Sequence, residues 1–394
     1  MSASKSDVES SILVYKSYGG IGDIFFTIPS LYMLKQKFDK VTYATQPRMV
    51  NLFNTQLKGI TVIDENQVNE ADYTEVIELG NYPKFNNTTV KKPQITYHTH
   101  KRVKQHSIEH YKDGIVSVFS EIEKSKEPYP FLKKRKASDL YYTIHPGAGF
   151  ILKAWPIDYY AKLIELIHDA FPQFTAKIII GPDDPNPEPY FKKDNLNIEL
   201  ITGDIDAVAH EISGAQFHIG NDAGITHLAG AFNIPILTIY GPTGPGSWGA
   251  FSDKVELIWG KKGNCGLKCN YHVIINCNDR VCLNSVKPEK MFYQLLKLLH
   301  KIYNSPSSLY CLNPDFKMSI EDDSYIFFSK ENEYLLEIKD FESRKFIANN
   351  LTEKDISVEN MPAQFNETFQ ALEKLHVFTP FPNLNFNNSN EVNA

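Results

Sequence analysis

Phe217-His-Ile-Gly-Asn-Asp-Ala-Gly-Ile-Thr-His-Leu-Ala-Gly-Ala-Phe-Asn-Ile-Pro-Ile-Leu-Thr-Ile-Tyr-Gly-Pro-Thr243 reads as strand, tight polar loop, small-residue helix, strand and turn. Short apolar runs of this kind suit strands buried on both faces of a parallel sheet. The run Ala229-Gly230-Ala231 predicts a helix packed closely on that sheet. The loop Asn221, Asp222, Ala223, Gly224 leads into the helix, so unpaired amides and the positive dipole end point at whatever binds there. A pyrophosphate fits such a site. His227 falls in the first helical turn, within reach of a phosphate oxygen. Asp222 either orients backbone amides or contacts a sugar, or it simply caps the helix while His227 packs. Thr243 on the following turn adds a hydroxyl donor.

Working outward, the same alternation repeats on both sides. Strands are expected at Leu140–Ile144, Lys177–Ile180, Phe217–Gly220 and Ile234–Tyr240, and helices at Ile157–Phe171, Ile205–Ser213 and Ile225–Phe232. A helix over Pro288–Tyr303 closes this half. Upstream, Ser11–Lys16 is a strand and Gly19-Gly20-Ile21-Gly22-Asp23 a turn. A helix follows to about Phe38, on Ile24, Phe25, Ile28, Leu31, Leu34 and Phe38, then strands at Val41–Ala44, Ile60–Ile63 and Glu75–Leu79 and a helix over Ile108–Glu121. Short strands alternating with amphipathic helices imply α/β architecture: two Rossmann-like, doubly wound parallel-sheet halves. The charged, proline-bearing stretch 123–138 links them. Beyond Ser305–Ser308 the character changes to a hairpin of Tyr325–Ser329 and Glu333–Ile338 about Lys330–Asn332, then helices at Glu342–Asn350 and Gln364–Leu375. The domain reading is therefore 11–137, 138–304 with a Cys-rich loop at 264–283, a small α+β appendage at 309–380, and a disordered tail at 381–394.

Composition agrees with a globular chain. Of 394 residues 42% are hydrophobic and 22% charged, enough to bury two ordinary cores. A net charge of −6 argues against a nucleic-acid binder and leaves room for a local basic patch. No apolar run is long enough for a transmembrane helix, and the polar start lacks the basic-then-apolar order of a secretory signal. The expectation is a cytoplasmic protein, associated with a membrane at most peripherally, at its inner face.

Three glycine-rich turns carry candidate chemistry. In the first, Gly19, Gly20 and Gly22 let the backbone turn sharply, and Asp23 stands where loop becomes helix. It either accepts a proton from a hydroxyl nucleophile or caps the helix. In the second, His145-Pro-Gly147-Ala-Gly ends a strand and precedes Lys153-Ala-Trp-Pro156. Lys153 is either a mobile charge for a phosphate or a solvated loop lysine, and Trp155 an anchor for the next helix. The third turn is Asn221–Gly224. At the same edge Gly181-Pro-Asp-Asp-Pro-Asn-Pro-Glu188 offers acidic groups for a ribose hydroxyl pair, and Glu188 is the chosen one. A dinucleotide oxidoreductase is disfavoured, because Phe25 stands where the third fingerprint glycine belongs.

Taken in order, Gly19–Asp23, His145–Ala148, Lys153–Pro156, Asn221–Ala229, Pro235 and Gly241–Thr243 resemble glycosyltransferase family 9, the ADP-heptose:lipopolysaccharide heptosyltransferases, over about Ser11–Tyr303. The resemblance implies a GT-B fold with the acceptor on the N-terminal half and the nucleotide sugar on the C-terminal half. It implies inverting transfer without a required metal or other cofactor, with Asp23 as general base. Lys153, Asp222, Ala223, Gly224 and His227 would line the donor diphosphate. The donor would be an ADP-heptose-like nucleotide sugar and the acceptor a lipopolysaccharide-type saccharide, with nucleic acid not a partner. An alternative keeps the chemistry but moves it to a protein or peptide acceptor recruited by the appendage, which vaguely resembles small peptide-capturing winged-helix modules and otherwise reads as a packing or dimerisation element. A non-catalytic sugar-nucleotide-binding protein is the reading from another class, and the joint presence of Asp23, Lys153 and His227 speaks against it. Cys265, Cys269, Cys277 and Cys282 resemble a Cys-rich insertion of the family. Their spacing is looser than zinc-ribbon pairs, so packing or redox-sensitive thiols are preferred over a metal.

Overall fold

The computed structural model describes residues 10–16, 19–80, 105–126, 131–184, 186–191, 196–260, 277, 279–303, 309–321, 324–329, 335–338, 341–351, 355–359, 361, 363–380 and 382. The chain divides into two compact units, residues 1–161 with 171–285, and residues 162–170 with 286–394. Both parallel sheets lie in the first unit.

The first sheet uses β1 (Ser11–Tyr15), β2 (Lys40–Thr45), β3 (Thr61–Asp64) and β4 (Glu75–Glu78) in the order β3-β2-β1-β4, all parallel. Its helices are α1 (Ile21–Phe25), α2 (Ile28–Leu34), α3 (Pro47–Gln56) and α4 (Ser107–Val118). The single helix expected up to Phe38 is in fact two, α1 and α2. Pro29 cannot donate to the Phe25 carbonyl and its ring crowds that turn, so the chain breaks at Phe26-Thr27 and restarts with Pro29 in the first turn of α2. Helix α3, which also opens on a proline, was not anticipated.

The second sheet contains β5 (Tyr141–His145), β6 (Thr175–Ile179), β7 (Ile198–Ile201), β8 (His218–Asn221), β9 (Ile236–Tyr240) and β10 (Val255–Trp259) in the order β10-β9-β8-β5-β6-β7, again all parallel. Helices α5 (Ile157–Ala170), α6 (Glu188–Phe191), α7 (Ile205–Gly214), α8 (Gly224–Ala231), α9 (Pro245–Trp248) and α10 (Val281–Asn284) connect or flank these strands. Strands β7 and β10, at the two edges, are additions to the sequence reading. A large apolar core is shared by the two sheets. It includes Ile12, Val14, Phe25, Tyr43 and Phe53 with Leu228, Ala229, Phe232 and Ile236.

In each sheet the chain winds outward on one side and then returns to the other side of its first strand. The switch points fall between β1 and β4 and between β5 and β8, and the crevice at the carboxyl ends of such strands is where α/β sheets bind ligands. Helix α1 follows the carboxyl end of β1, α8 follows that of β8, and α1 packs on α8. The two binding edges therefore face one another, which is the GT-B arrangement.

The second unit holds α11 (Pro288–Tyr303), β11 (Leu309–Leu312), β12 (Phe316–Glu321), β13 (Ser324–Ser329), β14 (Leu335–Ile338), α12 (Phe341–Asn350), β15 (Asp355–Ser357), α13 (Ala363–Lys374) and β16 (Phe378–Pro380). The expected hairpin is present as the antiparallel pair β13–β14, extended by β12, while its turn at Lys330–Asn332 lies outside the described residues. A second antiparallel sheet, β15-β11-β16, was not foreseen. Phe316, Phe327, Phe346, Phe365 and Phe369 form this unit's own core.

Candidate functional site

The crevice between β5 and β8 is held by Asn221. Its buried side chain donates from Nδ2 to the carbonyls of Pro146 (2.9 Å) and Gly147 (3.0 Å), and its Oδ1 accepts the Trp155 amide at 2.9 Å. One amide group thus fixes both ends of the 146–155 loop. Trp155 is buried against Tyr159 and Tyr160, so the loop is anchored on its far side as well.

That loop delivers Lys153 to Asp222, with Nζ 2.8 Å from Oδ2. Thr243 donates its hydroxyl to the same oxygen. His227 Nε2 lies 3.7 Å from Oδ1, an electrostatic contact longer than a hydrogen bond. Asp222 is only 5% exposed. Burial works against its charge, but His227 and Lys153 outweigh burial and hold the carboxyl well below the usual carboxylate range. Asp222 is therefore an anion that gathers Lys153, His227 and Thr243, three of the residues singled out from the sequence. It does not cap α8. The N-cap is Ala223, which has no side-chain cap, so the first amides of the helix keep their donors for something else.

Helix α8 meets the other half of the site through α1. A Cβ on Gly224 would stand 2.8 Å from Ile21 Cβ, and one on Gly22 would stand 2.4 Å from His227 Cδ2. Phe26 packs edge-on against His227, with ring centroids 4.7 Å apart, and against His106 at 5.1 Å. His106 caps α4 through Nδ1, which accepts the Ile108 amide, and its Nε2 lies 2.9 Å from the Gly249 carbonyl. Ser107 donates to the Ser247 carbonyl.

Asp23 stands in the first turn of α1, half-exposed. Its Oδ2 accepts the Gly20 amide at 2.9 Å, so the capping role weighed from the sequence is present. Gly19 adopts φ +117° directly over that carboxylate, which a side chain could not do. The sequence reading passed over Lys16, the residue just after β1. It is buried beside the Tyr111 ring, 5.9 Å from its centroid. Burial presses the ammonium below its ordinary range, opposed by the nearby charge of Asp23. A lysine ending an otherwise apolar buried strand is the signal that would have found it.

Gly147, in the turn after β5, is glycine for a reason of packing. Its missing Cβ makes room for Asp184, whose Oδ1 would lie 2.0 Å away from such an atom. Asp184 Oδ2 accepts from His145 Nε2 (3.1 Å) and from the Gly181 amide (2.7 Å). Burial raises the Asp184 pKa, but His145 overrides it and leaves the carboxyl below its usual range. Glu188, the acid chosen from sequence, is exposed at the start of the one-turn helix α6, with its amide bound to Asn186 Oδ1. Asp184 and not Glu188 is thus the acid packed into the crevice wall. Cys265 and Cys269 lie outside the described residues. Cys277 donates to the Asp279 carbonyl, and Cys282 packs below Gly241.

The sequence pattern of glycosyltransferase family 9 (heptosyltransferase) matches residues 84–274. Lipopolysaccharide heptosyltransferase 1 of Escherichia coli (strain K12) is 30% identical over 136 residues, 34% of this chain and 39% of that protein. The chain spans 34% and 39% of the lengths of two such curated relatives. The glycosyl transferase family 9 structure from Veillonella parvula DSM 2008 superposes with TM-score 0.58 at 14% identity, over 74% of this chain and 98% of that one. E. coli ADP-heptose lps heptosyltransferase II gives TM-score 0.56 at 14% identity, over 74% and 99%. At that identity the two structures establish the shared fold.

Proposed function

We propose, for a chain that belongs to glycosyltransferase family 9, that it transfers a sugar, a heptose, from an ADP-sugar donor to a hydroxyl of a lipopolysaccharide-type saccharide. The reaction would take place on the cytoplasmic side of the membrane that carries that acceptor. Among the described residues no helix is long and apolar enough to cross a membrane. The observation that carries the reading is the Lys153–Asp222–His227–Thr243 group at the start of α8, packed against the helix that bears Asp23.

The chemistry follows from charge. Asp23 takes the proton of the acceptor hydroxyl, and the oxygen attacks the anomeric carbon from the face opposite the diphosphate. The anomeric C–O bond breaks with its electron pair going to the nucleoside diphosphate, and the configuration inverts. Developing negative charge on that leaving group meets Lys153, His227 and the uncapped amides of α8. Asp222 keeps these donors aimed before the donor arrives, which spares reorganisation during the reaction. Asp23 already has one oxygen engaged with Gly20, and the bond fixes the rotamer while a carboxylate keeps acceptor capacity for the substrate hydroxyl.

The test is a thermal-shift series with ADP, UDP and ADP-sugars, since stabilisation follows occupancy. ADP-selective protection that falls at least tenfold in apparent affinity in His227→Ala supports the donor site, and UDP-selective protection overturns the ADP assignment. Transfer that survives undiminished in Asp23→Ala removes Asp23 as the base.

A further inference from the structure

At the far end of α8 from the donor group lies a second cavity, of about 490 Å³, lined by Lys133, Lys134, Arg135 and Lys136 together with Asp206 and His210. We propose that this cavity binds a small phosphorylated anion between the two α/β halves.

Charge is the first argument. The chain as a whole carries −6, yet four consecutive cations and a single carboxylate line this wall. Arg135 is committed to the protein. It donates to the Tyr141 hydroxyl (2.7 Å) and the His210 carbonyl (3.3 Å) and lies 3.9 Å from Glu211. Lys133, Lys134 and Lys136 form no ion pair with any described residue. Lys134 is pushed down to about 8, first by burial and then by Lys254, with Asp253 in partial opposition. An anion in the cavity would add to the partial offset that Asp253 supplies against that repulsion.

Position is the second argument. The strap that carries the lysines is pinned alternately to both halves. The Leu132 amide donates to the Ala231 carbonyl at the end of α8, the Lys133 amide to Gln56 Oε1 on α3, and the Arg135 amide to the Ser213 carbonyl on α7. Thr55 and Gln56 line the cavity from α3, and Asp206 and His210 from α7. A concave site bounded on three sides by two helices and the strap favours a compact polyanion of the phosphate or pyrophosphate class, whose oxygens several ammonium groups share. A flat lipid surface would engage the exposed lysine tips without entering.

Lysine acylation footprinting of the whole protein with inorganic pyrophosphate as probe tests this, with Lys153 reporting the donor site and exposed Lys58 as reference. Pyrophosphate slows modification of Lys133 and Lys136 at least fivefold, and Lys133→Gln/Lys136→Gln, with unchanged melting temperature, loses at least tenfold in pyrophosphate affinity at that site by calorimetry. Protection confined to Lys153 overturns the proposal. Protection of Lys133 and Lys136 by phosphatidylglycerol vesicles and not by pyrophosphate also overturns it, in favour of membrane contact.

Discussion

Gly22 and His227, on α1 and α8, touch so closely that a Cβ on Gly22 would lie 2.4 Å from His227 Cδ2. The imidazole cannot withdraw freely, because Phe26 packs on its ring and Asp222 lies beside Nε2. Gly22→Ala is therefore expected to destabilise the protein by about 1–3 kcal/mol through overpacking. It should also weaken nucleotide protection, by displacing His227. Gly20→Ala, whose added atom meets nothing nearer than 3.9 Å, should cost under about 1 kcal/mol. Equal losses in the two variants, in melting temperature and in nucleotide shift, would count against a tight α1–α8 contact.

Removing Lys153 leaves Asp222 buried with a hydroxyl and a distant imidazole as its remaining neighbours. Lys153→Ala should cost about 1–3 kcal/mol in stability, since a buried carboxylate loses a charged donor. Lys153→Ala/Asp222→Asn should recover part of that stability and none of the nucleotide affinity. Separate calorimetric and ligand-shift measurements distinguish this from a lysine that only binds substrate, for which the single variant would be as stable as the parent.

His218, buried with Nδ1 3.0 Å from Thr143 Oγ1, gives stability a pH dependence. Burial, and then the charge of His145, lower its pKa from 6.5 to about 3. The unfolded chain therefore takes up a proton that the folded chain refuses. Stability is full above pH 6.5 and falls as pH drops from 6.5 toward 3, with a slope of at most about 1.4 kcal/mol per pH unit for this group. His106, also lowered by burial, adds the same sign. Denaturation curves between pH 7 and 4 should have a shallower slope in His218→Gln, and an unaltered slope would rule out His218 as a source.

The parts of this molecule that the sequence makes legible are those with local causes. Glycines at Gly19, Gly20 and Gly22 between an apolar strand and a helix announce a turn, and Asn221–His227 announces a helix start. The strand–helix rhythm then places both turns at carboxyl edges. Edge strands carry weaker signals. β7 is half-exposed and includes Glu199, and β10 is only partly buried along its length, so neither reads as a buried run. The break after α1 turns on one residue, Pro29, inside otherwise unbroken helical periodicity. Asp184 was hidden for another reason: its value comes from Gly147 and His145, more than 35 residues away, and no local pattern encodes that meeting.

That meeting yields the last prediction. Asp184 fills the space left by the absent side chain of Gly147 and accepts from both His145 Nε2 and the Gly181 amide. In Gly147→Ala the new methyl forces the carboxylate away, and both donors lose their acceptor. In Asp184→Ala the donors lose it directly. Each single change should therefore cost about 1–3 kcal/mol, chiefly the penalty of unpaired buried donors. Since the second change removes nothing that the first has left in place, the double variant should cost far less than the sum, with a coupling of about 1–3 kcal/mol in a double-mutant cycle. Urea denaturation of the four proteins measures it. Additive losses would mean that Gly147 is glycine for the loop's own backbone and that Asp184 has no part in shaping the crevice.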